Sequence, residues 1–420
     1  MSNTEANRTA ASRTPRELDS VLRVMARGEP QSLSMRCGED SRGGPVLERY
    51  AVVPSFFNPR VLLPLDGTGA ALGAALAQHV AGAASPFVRA AARGLQLANR
   101  VGLARPFLRD RLTIAAAGPG RHETQLHEFL SDVLGRGDFV TSMRIAPRRP
   151  NGKPVVQVIA DDGTVLAYAK FGWEKLTRQL VRHEAQVLGE LVSRTKGTPL
   201  RVPRVLFSGA WRGIEAVVLA PLAGQRLRLR SVSDMPVDAA IALAELRPRS
   251  RAELGDSAFW RKSAAQFDRI MPALDEPDRD ILARARDQIE AQWGGVCLPM
   301  GQCHGDWIPP NMSVAQDGAY NVWDWELSDS NVPLGIDAMH FILHLELRGG
   351  RSAPATADRL CRFGRHVLFH MGLDPKRTPL LVALNLLRMI MLYGEARCVA
   401  QAKDGDRRYT RVLQAVVGRF

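Results

Sequence analysis

The 420-residue chain is short of cysteine, lysine and aromatic residues, and each shortage narrows what it can be. Its five cysteines, Cys37, Cys297, Cys303, Cys361 and Cys398, are odd in number and include no CxxC pair. They read as reduced, mostly buried thiols. Cys303 precedes His304, but neighbours on a strand point to opposite faces, so a Cys–His metal or thiol site is not expected. Arginine outnumbers lysine 49 to 7, and the net charge is +13. Residues 1–220 carry 30 basic against 19 acidic side chains, nearly all of that excess. The basic residues are scattered and the sparse aromatics do not interleave with them, so a nucleic-acid partner is not expected. No uninterrupted apolar run reaches membrane-spanning length; Ala70–Ala84 is broken by Gln78, His79 and glycines. The opening MSNTEANRTAASRT is polar and has no apolar core of a signal peptide, so a cytoplasmic protein with no membrane partner is the expectation. A Walker-type G-x₄-GK[ST] is missing throughout. Leu134-Gly135-Arg136-Gly137-Asp138 does not match the protein-kinase glycine loop, and a helix end explains its glycines equally well.

What is present is concentrated in residues 304–326, which begin HGDWIPPN and end in VWDWE. Asp306 and Asn311 lie five apart in a Pro-punctuated turn, and Asp324 follows the short segment Tyr320-Asn321-Val322-Trp323. A carboxylate, a carboxamide and a second carboxylate from one segment suit phosphoryl transfer. One carboxylate orients a hydroxyl and accepts its proton, while Asn and Asp oxygens hold Mg²⁺ against nucleotide phosphates. Singly, each has a plainer reading: Asp306 as a loop cap, Asn311 and Asp324 as turn and strand-end residues. Trp323 and Trp325 bracket Asp324 with apolar bulk, where an unpaired acid is costly and a cation is the natural partner. Glu326 reads equally as a substrate or second-ion ligand and as a solvated turn residue.

This pattern resembles the aminoglycoside phosphotransferase/choline kinase-like family of the protein-kinase-like fold, whose catalytic loop reads HGD-x₄-N ahead of an hDW metal segment. The usable motifs cover roughly residues 130–345. The resemblance implies Asp306 as catalytic base and His304 as the loop brace beside it. It implies Asn311 and Asp324 as Mg²⁺ ligands, with Asp337 in LGIDAMHF tying the loop from below. Strand-borne Lys170 in AYAK and helix-borne Glu184 in EAQVLGEL stand in the order that such folds use to position the α/β-phosphates of ATP or GTP. Glu174 and Glu190 are nearby competitors for that role. Val218–Leu222 falls where the family's interlobe segment lies, so the backbone of Ala220 and Leu222 would meet the nucleotide base. Two positions depart from the family: Pro310 stands where glycine commonly precedes the Asn, and Ile308 where a polar or basic residue is common.

The fold expected is α+β and bilobal, an antiparallel-sheet N-lobe with a mostly helical C-lobe, plus an N-terminal extension. Residues 1–45 are expected as a mobile tail with one short helix at about 15–27, and 46–122 as an extension of unknown role. Residues 123–222 would be the kinase-like N-lobe, and 223–420 the helical C-lobe with the catalytic loop. Strands are expected at 139–147, 154–160 and 164–172, with two more from VPRVLFSG and GIEAVVLAPLAG. AAAGPGRHE at 115–123 reads as a linker. C-terminal helices are expected at about 236–247, 256–272, 276–293, 336–347, 355–371 and 376–403. The function expected is an ATP- or GTP-dependent phosphotransferase acting on a small-molecule hydroxyl. Residues 221–300 balance 12 basic against 12 acidic side chains, so the acceptor is expected to be a sugar, amino alcohol or natural product rather than a polycationic aminoglycoside. The alternative is a non-catalytic nucleotide-binding scaffold.

Overall fold

The computed structural model describes residues 18–25, 33–37, 44–82, 86–117, 122–145, 151–227, 229, 231–400 and 407–420. The tail expected over residues 1–45 lies largely outside them, as does the end of the helix expected over 376–403. The chain forms two compact units, one of residues 1–185 and 204–221, the other of residues 186–203 and 222–420.

The first unit is built on a nine-stranded antiparallel sheet. In chain order its strands are β1 (Leu33–Cys37), β2 (Val46–Val53), β3 (Val61–Pro64), β4 (Arg111–Ala116), β5 (Phe139–Arg144), β6 (Val155–Ala160) and β7 (Val165–Gly172). After β8 (Leu200–Arg201), which belongs to the second unit, come β9 (Val205–Trp211) and β10 (Ile214–Leu219). The spatial order is β1-β4-β2-β3-β5-β6-β7-β10-β9. Residues 46–122, for which the sequence supplies no motif, thus add β2, β3 and β4 to the sheet that holds β5–β7. Ala115 and Ala116, expected in a linker, instead close β4. That strand is buried almost throughout and lacks the polar alternation that marks a strand from sequence.

Side-chain alternation loads both faces of this sheet. Tyr50, Val52 and Leu62 enter one hydrophobic cluster with Phe129 of the helix Gln125–Leu134, while Ala51, Val61 and Leu63 enter a second with Leu72 and Leu76 of the helix Gly69–Gly82. On β7, Ala167, Ala169 and Phe171 belong to the first cluster, so Lys170 is forced onto the opposite face.

In the second unit, a four-stranded sheet runs β11 (Gln225–Arg226), β14 (Met312–Val314), β15 (Tyr320–Val322), β8. A three-stranded one runs β12 (Ser250–Glu253), β13 (Cys297–Cys303), β16 (Asp329–Pro333). Helices Val237–Glu245, Ala258–Ile270, Glu276–Trp293, Ile336–Leu347, Ala353–His370, Thr378–Ala400 and Arg408–Val417 supply the bulk, the last of them not expected from sequence. Ser257, Asp275 and Ser352 cap three of them by accepting from the backbone N–H three residues on. The segment Pro375–Glu395 is long and apolar enough to cross a membrane by length and composition, although Asn385 and Arg388 interrupt its apolar run. Its most apolar stretch is 72% buried inside the protein, where Leu380, Leu384, Leu387 and Met391 serve as core.

The helix Ile336–Leu347 packs against both Ala353–His370 and Thr378–Ala400. Gly335 starts it with φ +97°, a left-handed conformation, and a Cβ there would stand 2.6 Å from Leu368 Cδ2 and 3.1 Å from Leu381 Cδ1. Both constraints select glycine. Gly335→Ala is therefore expected to lower unfolding free energy by about 1–3 kcal/mol, read from the urea midpoint at an unchanged slope.

Candidate active site

The loop after β13 is held from one carboxylate. Asp337, in the first turn of Ile336–Leu347, accepts from the backbone N–H of His304 (2.7 Å, Oδ2) and of Gly305 (3.0 Å, Oδ1), and from Cys303 Sγ (3.2 Å). Burial, then the Asp337 charge, pushes the Cys303 thiol well above its usual range, so it serves as a donor and not as a nucleophile. Arg388 grips the loop from another side, donating to the carbonyls of Gly305 (2.9 Å) and Leu327 (3.2 Å). Gly305 has φ +90°, and any Cβ would collide with the Leu327 carbonyl.

His304 is fully buried, with its ring edge-on to both Trp307 and Trp325. Its Nδ1 accepts from the Asp306 N–H (3.1 Å), so its Nε2 carries the hydrogen and donates to the Trp323 carbonyl (3.0 Å). Burial drives its pKa below the ordinary value against the pull of Asp337 and Asp306. A neutral ring bonded at both nitrogens braces backbone and leaves neither nitrogen uncommitted for proton transfer.

The Asp306 carboxylate is held at both oxygens. Oδ1 faces His340 Nε2 at 3.1 Å, and Oδ2 accepts from Asn311 Nδ2 at 2.8 Å. Burial raises its pKa, but the His340 hydrogen bond and charge, His304 and the Asn311 bond outweigh this and hold it at about 2. Asn311 also donates to the Asp306 carbonyl (3.0 Å). With Nδ2 committed twice, the remaining Oδ1 of Asn311 is a hard oxygen acceptor.

Pro309 and Pro310 occupy the first two positions of a 3₁₀ turn ending at Asn311, where their missing N–H groups would have no partner within the turn. Ile308 closes the turn through its carbonyl, accepting from the Asn311 N–H at 2.9 Å. The departure from glycine at 310 thus costs no backbone bond.

Asn311 and Asp324 sit at the same open end of a β-hairpin. Met312 pairs with Val322, and the next step outward is a bond from the Trp323 N–H to the Asn311 carbonyl (3.2 Å). Asp324 then takes a left-handed backbone, φ 73° and ψ 52°, a region Asp enters more readily than most residues. An amide oxygen and a carboxylate at one hairpin end form a donor set suited to a hard divalent cation. Glu326 lies in the following turn, Trp325–Leu327, partly buried.

In the first unit, Lys170 Nζ lies 2.7 Å from both Glu184 oxygens, with Glu184 fully buried. The competitor Glu190 is engaged instead by Arg247. The Ala220 N–H donates to the Arg204 carbonyl (2.8 Å). Leu222 is partly buried in irregular backbone of the second unit.

The description "Phosphotransferase enzyme family" matches residues 153–366, just over half of the chain. The chain belongs to the phosphotransferase enzyme family. Its fold is the bilobal α+β, protein-kinase-like one expected from the loop motif. Among solved structures, a thermostable mutant of aminoglycoside phosphotransferase APH(4)-Ia is similar at 14% identity and TM-score 0.46, covering 70% of this chain and 98% of that one. Choline kinase LicA from Streptococcus pneumoniae is similar at 13% identity and TM-score 0.45, with 70% and 98% covered. A putative fructosamine-3-kinase from Haemophilus somnus is similar at 12% and 0.43, with 70% and 96% covered. No curated protein matches the chain.

Two residues of this phosphotransferase loop escaped the sequence reading, His340 and Arg388. The one available signal was spacing: His340 falls three residues after Asp337, on the same helix face. His344, one turn further, is partly buried, and burial first, with His340 and Arg348 adding, lowers its pKa to about 4. His304 and His344 are thus neutral when folded, whereas the unfolded chain protonates them near the ordinary 6.5. Stability should accordingly be full above about pH 6.5 and decline as the pH falls toward 4. Urea titrations at pH 7 and pH 4.5 measure the decline, and His344→Gln should make it shallower.

Proposed function

We propose that the protein transfers the γ-phosphoryl group of ATP or GTP to a hydroxyl of a small molecule. The observation that supports this most is the Asp306 carboxylate, ionised and bonded at each oxygen on a loop tied to Asp337. In this reading, Asp306 aligns the acceptor hydroxyl and takes its proton as the hydroxyl oxygen bonds to phosphorus. The bond from that phosphorus to the bridging oxygen breaks, releasing the nucleoside diphosphate. Such a positioned base contributes about 10²–10⁴-fold. His304 holds the loop and moves no proton. Lys170, pinned by Glu184, is the point charge for the nucleotide phosphates, and the backbone of Ala220 and Leu222 meets the base. The Asn311 Oδ1 and the Asp324 carboxylate are the ligands for Mg²⁺, which when bound neutralises phosphate charge. Residues 123–222 would serve the nucleotide and 223–420 the acceptor, with 46–122 an addition to the former.

The acceptor we propose is a small hydroxyl compound, a sugar, amino alcohol or natural product, in preference to a polycationic aminoglycoside. Support comes from the helix next to Asp306, which bears His340, His344 and Arg348 at four-residue spacing, while its Asp337 carboxylate is taken up by backbone donors of the loop.

The test is ADP release from MgATP over a panel of sugars and amino alcohols, with nucleotide-induced thermal shifts measured alongside. Asp306→Ala should lower turnover at least about 10²-fold with the nucleotide shift retained. Asp324→Ala should remove the Mg²⁺ dependence of that shift. Nucleotide binding by the wild type without turnover on any acceptor would favour the non-catalytic scaffold instead.

A further inference from the structure

We propose that His340 is a positioning residue for Asp306, fixing the rotation of the carboxylate that receives the acceptor's proton. The inference rests on the phosphotransfer reading above and adds to it a residue outside the HGD-x₄-N and DW segments.

The helix Ile336–Leu347 anchors the loop at two levels. Asp337 accepts the backbone N–H groups of His304 and Gly305, and His340, three residues on, meets the side chain of the next residue, Asp306. Residues three apart lie on the same helix face, so one rigid element sets both the height of the loop and the twist of its carboxylate. A carboxylate torsion is broad and roughly two-fold when nothing restrains it. Here the restraint is two-sided: His340 Nε2 at 3.1 Å from Oδ1 and Asn311 Nδ2 at 2.8 Å from Oδ2. With Asn311 Nδ2 donating to Oδ2, the His340 Nε2 contact at Oδ1 completes the hold on both carboxylate oxygens.

The opposite nitrogen, His340 Nδ1, is buried and has no hydrogen-bond partner among the described residues, and His340 as a whole is 6% exposed. The bond that His340 does make is spent on Asp306. Orientation of this kind is worth much in catalysis, because a displacement of about 1 Å costs on the order of 10²-fold. Asn311 alone would leave Oδ1 unrestrained, and its amide also carries a metal-ligating duty in the same reading.

Three full-length variants, His340→Ala, His340→Gln and Asp306→Ala, test the inference, with His340→Leu substituting if His340→Ala does not fold. With MgATP saturating and the acceptor panel above, water included, His340→Ala should lower kcat by about 10–10²-fold. The KM for ATP and the nucleotide-induced thermal shift should stay within about two-fold. His340→Gln, whose amide can donate from a place near Nε2, should recover most of the rate, which a merely structural role would not predict. In long-range ¹H–¹⁵N spectra, wild-type His340 should show the Nε2–H form with a downfield proton that is lost in Asp306→Ala. Unchanged kcat in His340→Ala, no recovery in His340→Gln, or a downfield proton persisting in Asp306→Ala each overturns the inference. A wild type that binds MgATP and turns over nothing sinks the phosphotransfer reading itself, and with it the inference, and that signature is distinct from the others.

Discussion

The second unit's chemistry hangs on the bonds from the backbone of His304 and Gly305 to Asp337. A buried carboxylate is costly by itself and becomes affordable by accepting several donors at once. Those donors belong to the backbone of a loop that no ladder of strand or helix could satisfy. Once the loop is pinned at 304–305, the positive φ of Gly305, the neutral tautomer of His304 and the aim of Asp306 follow in sequence. Arg388 closes the arrangement by taking the Gly305 and Leu327 carbonyls, so both polar ends of the tight turn are met.

The first unit solves a related problem with charge. Lys170 and Glu184 are both nearly removed from water, and their two-point contact offsets a desolvation cost that would otherwise be several kcal/mol per ion. Breaking such a pair leaves an uncompensated charge, which is why it locks strand β7 to the helix Lys175–Arg194. An ammonium held in one place is also what a phosphate-binding role requires, so the same contact serves rigidity and chemistry.

How much of this could be read from the chain depended on sequence distance. The residues from His304 to Asp324 were legible because the hairpin that gathers them is short and its functional residues are chemically distinctive. Lys170 and Glu184 were legible as strand end and helix face, and the choice of Glu184 over Glu190 came from the resemblance of EAQVLGEL to the family's pattern. Glu190's true partner, Arg247, is 57 residues away and leaves no local trace. Arg388 was invisible for the same reason, and His340 showed nothing but its spacing from Asp337, since they meet the loop from positions 83 and 34 residues on. Among the fold elements, β5 to β7 were marked by the turn residues Asn151-Gly152 and Asp161–Gly163 between them, while β4 is a short apolar run that periodicity cannot assign. That is why residues 46–122 looked separate from the sheet they extend.

The hairpin of β14 and β15 acts as a caliper. Its jaws are Asn311 and Asp324, and their separation is set by residue count from the Met312–Val322 pair, because slipping either strand by one residue would turn every side chain to the wrong face. The hinge end is different: Asp317 and Gly318 sit exposed at the tip, where the turn is closed by bonds between Ala315 and Ala319 and between Gly318 and Ala315. Register therefore constrains the three-residue arms most tightly, since an insertion or deletion there turns every later side chain over, whereas the tip is anchored separately by Asp317 against Arg201.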